Sequence, residues 1–128
     1  MIYDLIVIGG GPAGYLACER AGHAGLKTLL VEKEHMGGVC LNKGCIPTKT
    51  LLYSAKLLDG AKNGKKYGVL AGDLSIDHSL VIKRKNKIVK SLTSGVRAAV
   101  LAADVTIIDE KGYIKGNTAD GYEVIAAD

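Results

Sequence analysis

The first 31 residues contain two short apolar runs separated by a glycine-rich turn and a helical stretch. The runs Leu5–Ile8 and Thr28–Val31 are continuous and rich in β-branched residues, which is typical of strands buried on both faces. The stretch from Pro12 to about Ala24 predicts a helix. Strand, helix and strand within about thirty residues form a βαβ unit with parallel strands and a right-handed crossover. This unit predicts an α/β fold.

The rest of the chain predicts two more helices and a β-rich end. The long helix has apolar residues at helical spacing, and an Asp-Gly pair supplies turn chemistry near the end of the chain. We predict a Rossmann-like, doubly wound domain with a parallel sheet and a small antiparallel β excursion, incomplete at its C-terminal end. The expected elements are helix 48–58, loop 60–72, helix 77–103, strands 105–108, 113–115 and 122–126, and a turn at 117–121.

Length and composition limit the possible classes of protein. With 128 residues, 48% of them hydrophobic, the chain is one domain or one large piece of a domain. The net charge of +4 is mild, and the basic residues of 83–90 fall on the predicted solvent side of a helix, so we expect no nucleic-acid partner. No apolar run is long enough to span a bilayer, and the N-terminus lacks a basic leader. We therefore expect a cytoplasmic protein, no membrane partner, and cysteines kept in a reducing compartment.

A glycine-rich turn follows the first predicted strand. Gly9, Gly11 and Gly14 form a G-x-G-x-x-G pattern, in which the first glycine permits a tight turn. The second lets a pyrophosphate approach the backbone, and the third lets helix and strand pack closely. Glu32 ends the second strand, where a carboxylate accepts hydrogen bonds from a ribose. Although a glycine-rich turn can serve flexibility alone, this context predicts a dinucleotide site.

Cys40 and Cys45 lie five positions apart in a glycine-rich segment. A zinc site would normally show four ligands, often in C-x₂-C pairs, and no histidine here has ligand spacing, so we predict no metal site. A structural disulfide is rare in a reducing compartment. Cys18 lies among alanines of the first helix, where a buried inert thiol is expected. A redox-active pair is the remaining interpretation.

The geometry of a bridge constrains the segment between the two cysteines. In a regular helix, Cα atoms of residues i and i+5 lie about 8.5 Å apart. A disulfide requires about 7 Å or less. The segment must therefore leave helical geometry, and Asn42 and Gly44 tolerate positive φ. A helix then begins near Cys45, with Lys49 one turn later, and both features favour the Cys45 thiolate.

The segment GGVCLNKGCIPTK, residues 37–49, resembles the redox signature of the flavin-dependent pyridine nucleotide–disulfide oxidoreductases. Within that class I family it most resembles the dihydrolipoyl dehydrogenase branch. Glutathione and mercuric reductases usually have valine at the positions of Leu41 and Ile46. The resemblance extends through the rest of the chain, at Ile88, Val89, Leu92, Gly95, Val96 and Gly112.

The resemblance implies a set of binding and catalytic residues. Cys45 would be the thiol that faces the flavin and forms a charge-transfer complex, and Cys40 the interchange thiol. Lys49 would lie near the reactive nitrogen of the flavin. Val39 stands where many members have threonine, which removes one hydroxyl contact. Non-covalent FAD would be held by Gly9, Gly11, Pro12, Ala13, Gly14, Glu32, Lys33, Gly37, Gly38, Val39, Cys40, Lys49 and Gly112.

The resemblance also implies a reaction and its partners. Such enzymes oxidise dihydrolipoamide with NAD as co-substrate, act on lipoamide carried by a 2-oxoacid dehydrogenase or glycine cleavage complex, and form homodimers. Residues 1–128 would be the N-terminal FAD-binding domain, without the NAD-binding, central and dimerisation domains. We therefore expect no turnover from this chain alone. The alternatives are part of a glutathione- or mercury-type reductase, or a stand-alone flavin-binding module.

Overall fold

The computed structural model describes residues 1–127. It confirms the βαβ unit, the long helix and the small antiparallel excursion that the sequence predicts. A short 3₁₀ turn spans Gly64–Tyr67. The helices and strands in chain order are β1 (Leu5–Ile8), α1 (Pro12–His23), β2 (Thr28–Val31), α2 (Gly38–Asn42), α3 (Cys45–Lys62), α4 (His78–Ala102), β3 (Thr106–Ile108), β4 (Gly112–Thr118) and β5 (Gly121–Ala126).

The main sheet contains three parallel strands in the order β1-β2-β3. Leu5 pairs with Thr28, and Leu29 pairs with Thr106, so β2 lies in the middle. Each strand lies next to the one before it in the chain, so the sheet grows in one direction from β1 to β3, as in one half of a doubly wound sheet. Because all three strands are parallel, their carboxyl ends meet at one edge. The glycine-rich loop and Glu32 follow directly at that edge.

The hydrophobic core lies between β2 and helices α1 and α4. All four residues of β2 are buried, as predicted. The prediction that β1 is buried on both faces is wrong, because its residues are only partly buried and Ile8 is 43% exposed. Within residues 1–127, β1 pairs with one strand only, so less of the chain covers it. The core cluster consists of Cys18, Leu30, Met36, Val100, Ala103 and Val105.

Two predicted boundaries require correction. Helix α3 extends through Gly60 to Lys62, into the region expected to be loop. A glycine in a helix costs only about 1 kcal/mol relative to alanine, which the surrounding helical structure offsets. The last turn is stabilised by Asn63, whose Nδ2 donates to the carbonyl of Asp59 (3.0 Å). The turn between β4 and β5 is narrower than predicted, because β4 continues to Thr118 and β5 begins at Gly121.

The basic residues of α4 lie mainly on its solvent side, as predicted. Lys83, Lys87 and Lys90 are exposed. Arg84 differs from these lysines in contacting another helix. Its guanidinium donates to the Thr50 carbonyl (3.4 Å) and lies over the Tyr53 ring. It therefore connects α4 to α3. No helix among residues 1–127 is long and apolar enough to cross a bilayer.

Candidate functional site

The loop between β1 and α1 is built from glycines that pack against backbone. Gly9 has a φ of +106°, and its amide donates to the Val31 carbonyl (2.8 Å) at the end of the neighbouring strand. A Cβ on Gly14 would lie 1.9 Å from the Gly9 carbonyl oxygen. Gly9 therefore forms the tight turn, and Gly14 the close contact, that the sequence predicts for these positions.

The N-terminus of α1 opens into this loop. Gly11 is the N-cap residue, Pro12 is the first helical residue, and no side chain caps the helix. The first turn also contains no acidic residue. The amides of Ala13 and Gly14 thus lie at the positive end of the helix dipole, an arrangement that suits a phosphate group. A Cβ on Gly11 would have only one atom at 4.0 Å, so the space beside it is open.

Glu32 has a structural role that sequence reasoning missed. One carboxylate oxygen accepts a hydrogen bond from the Gly10 amide (2.7 Å), and the other accepts one from the Glu34 amide (2.7 Å). The side chain therefore fixes the glycine loop and the turn after β2 at the same time. Each oxygen retains a second lone pair, so the predicted contact with a ribose hydroxyl is compatible with this geometry.

Two further residues of the site escaped the sequence analysis. A Cβ on Gly10 would lie 2.7 Å from Sδ of Met36, so a larger residue there would force the Met36 side chain to move. Met36 is 2% exposed and belongs to the core, although its sequence position suggests a simple loop residue. Gly10 is the middle residue of the run Gly9-Gly10-Gly11. A glycine at that position, which the G-x-G-x-x-G pattern does not require, could have indicated that a neighbouring residue packs closely on it.

The cysteine-containing segment packs directly on the glycine loop. Gly37 and Gly38 have φ values of +94° and +63°. The Gly37 amide donates to the Gly10 carbonyl (2.8 Å). A Cβ on Gly38 would lie 2.9 Å from the Gly11 Cα. We call residues 9–14 together with residues 37–38 the glycine cradle. Its two halves meet backbone to backbone, which places the cysteines next to the loop.

Two open clefts border the cradle at the carboxyl end of the sheet and share Glu32 and Lys33. One has a volume of about 250 Å³ and includes Gly9 and Gly112, while the other has about 230 Å³ and includes Gly38 and Val39. Gly112 packs on Val31 and Ile8 and lines the first of these clefts. A larger hollow of about 410 Å³ lies between the end of α3 and residues 69–74. We favour the smaller clefts because ligands of open α/β sheets bind outside the strands' carboxyl ends.

Cys40 and Cys45 lie on two different helices. Cys40 is within α2, and Cys45 is the first residue of α3. The expected departure from helical geometry occurs at Lys43 and Gly44, but the chain is helical through Asn42, and Gly44 has a negative φ of −126°. Glycine is required there for another reason, because a Cβ would lie 3.0 Å from the Val39 carbonyl oxygen. Both thiols are free and exposed.

The electrostatics of the pair distinguish the two thiols. The pKa of Cys40 is raised, first by a side-chain hydrogen bond with Cys45, then by desolvation and by negative charge on Cys45. The nearby Lys49 opposes this shift only weakly. By contrast, burial raises the pKa of the Cys18 thiol to about 11, as expected for an inert core thiol.

Other side chains that could take part in thiol chemistry lie elsewhere. Lys49 is exposed, one turn after Cys45. His23, His35 and His78 are exposed, and none of them forms a hydrogen bond with either cysteine in the part of the chain described. Over the same residues, no three His, Cys, Asp or Glu side chains converge as a metal site would require.

Comparison with known proteins identifies the family. Residues 3–128 match the family model described as pyridine nucleotide-disulphide oxidoreductase. A dihydrolipoyl dehydrogenase of Mycoplasma pneumoniae is 47% identical over 122 residues, covering 94% of this chain and 27% of the relative. One from Rhizobium etli is 53% identical over 95 residues, covering 73% and 20%. The chain belongs to the pyridine nucleotide–disulphide oxidoreductase family, and it spans about a quarter of the length of these relatives.

A solved structure supports the fold and the class of chemistry. The chain superposes with a TM-score of 0.72 on the HOCl-induced flavoprotein disulfide reductase RclA from Escherichia coli, determined as a Cu(II) complex. The two proteins are 27% identical, and the match covers 89% of this chain and 23% of that one. The fold is therefore the Rossmann-like FAD-binding fold predicted from the sequence, and the chain is part of a flavin disulfide oxidoreductase.

Proposed function

We propose that this chain is the FAD-binding, redox-disulfide portion of a dihydrolipoyl dehydrogenase, which oxidises dihydrolipoamide with NAD as co-substrate. The observation that carries the proposal is a pair of exposed thiols, Cys40 and Cys45, packed on a glycine cradle at the carboxyl end of a parallel sheet. Relatives named dihydrolipoyl dehydrogenase match at 45–47% identity over more than nine-tenths of the chain, which supports lipoamide as the substrate.

The cradle fits the FAD that the family implies. Open space beside Gly9 and Gly11 and the uncapped start of α1 provide room and amide donors for a pyrophosphate. Glu32 and Lys33 would hold the adenosine ribose, and Gly112 would close the rim. Bound flavin supplies a two-electron acceptor for a dithiol. The remaining proposed contacts come from Pro12, Ala13, Gly14, Gly37, Gly38, Val39, Cys40 and Lys49.

The two cysteines would exchange electrons with the substrate by thiol–disulfide exchange. One substrate thiolate attacks Sγ of Cys40 in the oxidised pair, forming a mixed disulfide and releasing Cys45 as a thiolate. The second substrate thiolate attacks the substrate sulfur bound to Cys40, which closes the lipoamide ring and frees Cys40. Two electrons pass from the substrate dithiol to the cysteine pair. The exposure of the Cys40 thiol supports its role as the sulfur that the substrate attacks.

We propose the remaining features from the relatives. The complete enzyme would be a homodimer in the cytoplasm, acting on lipoamide of a 2-oxoacid dehydrogenase or glycine cleavage complex, with no nucleic-acid or membrane partner. The structural similarity to RclA favours a second candidate, a flavin disulfide reductase of another substrate, such as a glutathione- or mercury-type enzyme. A stand-alone flavin-binding module is the candidate from a different class.

FAD titration and thiol counting test the proposal. The isolated chain should quench FAD fluorescence, and Gly11→Ala should weaken binding about tenfold or more, because its methyl group would occupy the open space assigned to the pyrophosphate. Gly116→Ala, in β4, also has open space around it and serves as the control. After air oxidation and denaturation, one thiol should react before mild reduction and all three after it. Three reactive thiols in the oxidised sample would contradict a redox pair.

The dihydrolipoamide–NAD activity of this chain should be far lower than that of a complete enzyme. Because the chain has one dinucleotide motif and no histidine bonded to the thiols, we expect less than about one-hundredth of the dihydrolipoamide–NAD activity of the Mycoplasma pneumoniae relative. A chain that binds FAD and forms the disulfide but shows no NAD turnover fits both the main proposal and the flavin-module alternative. Reduction of the bound flavin by dihydrolipoamide would favour the dehydrogenase.

A further inference from the structure

Asn42 forms side-chain hydrogen bonds to three places in the chain. Its Nδ2 donates to the Met36 carbonyl (3.0 Å) and to the Gly38 carbonyl (2.9 Å). Its Oδ1 accepts from Oγ1 of Thr93 in α4 (3.3 Å), 51 positions away in the sequence. Both amide hydrogens and the amide oxygen are therefore used, so the side chain has one orientation that satisfies the network.

These bonds hold an element that would not be stable by itself. Helix α2 contains five residues, far fewer than an isolated helix requires. It begins directly after Gly37, and its first residue, Gly38, shares with Gly37 a left-handed backbone that few other residues adopt. By binding carbonyls on both sides of Gly37, Asn42 closes this turn onto the last residue of the helix.

The same residue lies between the two cysteines. Cys40 precedes Asn42 by two positions, and Cys45 follows it by three. Only Lys43 and Gly44 separate Asn42 from α3, so a displacement of Asn42 must move one sulfur relative to the other. The partner on α4 is well anchored, because Val96 and Val100 of that helix pack in or against the core.

We infer that Asn42, anchored by Thr93, is a positioning residue that sets the separation of the Cys40 and Cys45 sulfurs and thereby the stability of their disulfide. The inference rests on the proposed function, since it concerns the same redox pair. Asn42 also lines the cleft of about 230 Å³, but the inference concerns only its hydrogen bonds to the loop and to Thr93. We call the hydrogen bonds of Asn42 to Met36, Gly38 and Thr93 the clamp. Its loss should increase the conformational freedom of α2 and make closure of the small disulfide ring less favourable.

The test measures the equilibrium of the pair with glutathione. In that reaction, two electrons and two protons pass from the Cys40 and Cys45 thiols to oxidised glutathione, giving the protein disulfide and two reduced glutathione molecules. Acid quenching and alkylation of the isolated chain give the equilibrium constant. We expect Asn42→Ala to lower it about fivefold to tenfold. Thr93→Val should lower it about twofold to threefold, and Thr93→Ser should restore it.

The matched control is Asn86→Ala, which removes an amide from the same cavity between α2 and α4 without touching the loop carbonyls. An unchanged constant in this control supports the clamp, whereas an equal fall in Asn86→Ala and Asn42→Ala overturns it. An Asn42→Ala protein with native circular dichroism and an unchanged constant also overturns it. If Asn42→Ala does not fold, Thr93→Val decides by the same criterion. A wild-type pair that forms no disulfide in any buffer would overturn the proposed function itself, and the inference with it.

Discussion

The glycine cradle and the β4–β5 hairpin differ in how they are held in the molecule. In the cradle, a methyl group on Gly14 or Gly38 would collide with backbone atoms, and one on Gly10 would displace the Met36 side chain. In the hairpin, Gly116 has open space around it, and Ile114 and Tyr122 are 62% and 73% exposed. Both regions are rich in glycine, but the glycines have opposite meanings. Those of the cradle allow close packing, which gives the site a defined shape.

The hairpin is held mainly by its own pairing. Its strands are antiparallel, with a bulge between Ile114 and Gly116. Most of β4 is exposed, and β5 is half-buried or exposed along its whole length. Contact with the main sheet is made at its first residue, Gly112, which lies against Val31 and Ile8. The comparison indicates that rigidity is concentrated where the cofactor and thiols are proposed to meet, since close packing there leaves little freedom to rearrange.

The largest expected difference in stability is between a glycine-to-alanine change in the cradle and one in the hairpin. Gly14→Ala places a methyl group 1.9 Å from the Gly9 carbonyl oxygen and should destabilise the protein by about 3 kcal/mol or more. Gly116→Ala meets no atom within 4 Å and should change stability by less than about 1 kcal/mol, in the stabilising direction. Urea unfolding measures both changes. Equal effects would mean that the cradle is no more tightly packed than the hairpin.

Cys18 is completely buried in the hydrophobic core. Because burial raises the pKa of Cys18 from 9.0 to about 11, the folded state holds this proton more tightly than the unfolded state does. Stability should therefore fall as the pH rises from about 9 to about 11, by roughly 3 kcal/mol in all. Urea unfolding of Cys18→Ala should lack this decline relative to wild type. A parallel decline in both proteins would locate the titrating group elsewhere.

The smallest expected effects come from two surface ion pairs. Arg97 in α4 forms a two-point contact with Asp109 after β3 (2.6 and 2.7 Å), whereas Lys115 and Glu123 make one contact within the hairpin (2.9 Å). Because the Arg97 pair is partly exposed, Arg97→Gln should cost no more than about 1 kcal/mol, and Lys115→Gln should cost nothing measurable.

The acid dependence of these variants provides a check. The hydrogen bond from Arg97 holds the pKa of Asp109 below its ordinary value. The contribution of this pair is therefore present at neutral pH and is lost as the pH falls below about 4. Wild type and Arg97→Gln should converge in thermal stability under acidic conditions. A difference that persists at pH 2 would assign the loss to packing of the arginine stem.

Local rules were enough to predict the parts of the fold whose pattern is complete in a short stretch. The run Thr28–Val31 is apolar after its first residue and is buried throughout. Asp77 precedes an amphipathic stretch and caps α4 through the Leu80 amide (3.0 Å). The GxGxxG pattern and the two cysteines indicated the family, which the comparisons confirm. In each case the residues that determine the outcome are neighbours along the chain.

Features that depend on partners distant in sequence were predicted wrongly or missed. Periodicity could not reveal that β1 has one strand neighbour within residues 1–127, because an edge strand and a central strand have similar sequences. The helical conformation of Gly38–Asn42 is supported by a hydrogen bond to Thr93, which no local propensity contains. Met36 looks like a loop residue until the fold places it against Gly10.

By itself, the sequence determined the order and spacing of the glycines and cysteines. That order was sufficient to identify the family. Only the tertiary structure decided how the cradle is closed. There, Glu32 holds two turns at once, and Asn42 connects the cysteine-containing helix α2 to α4. The physical reason is that hydrogen bonds and close contacts depend on distances in space. Spacing along the chain determines those distances only within a single helix, strand or turn.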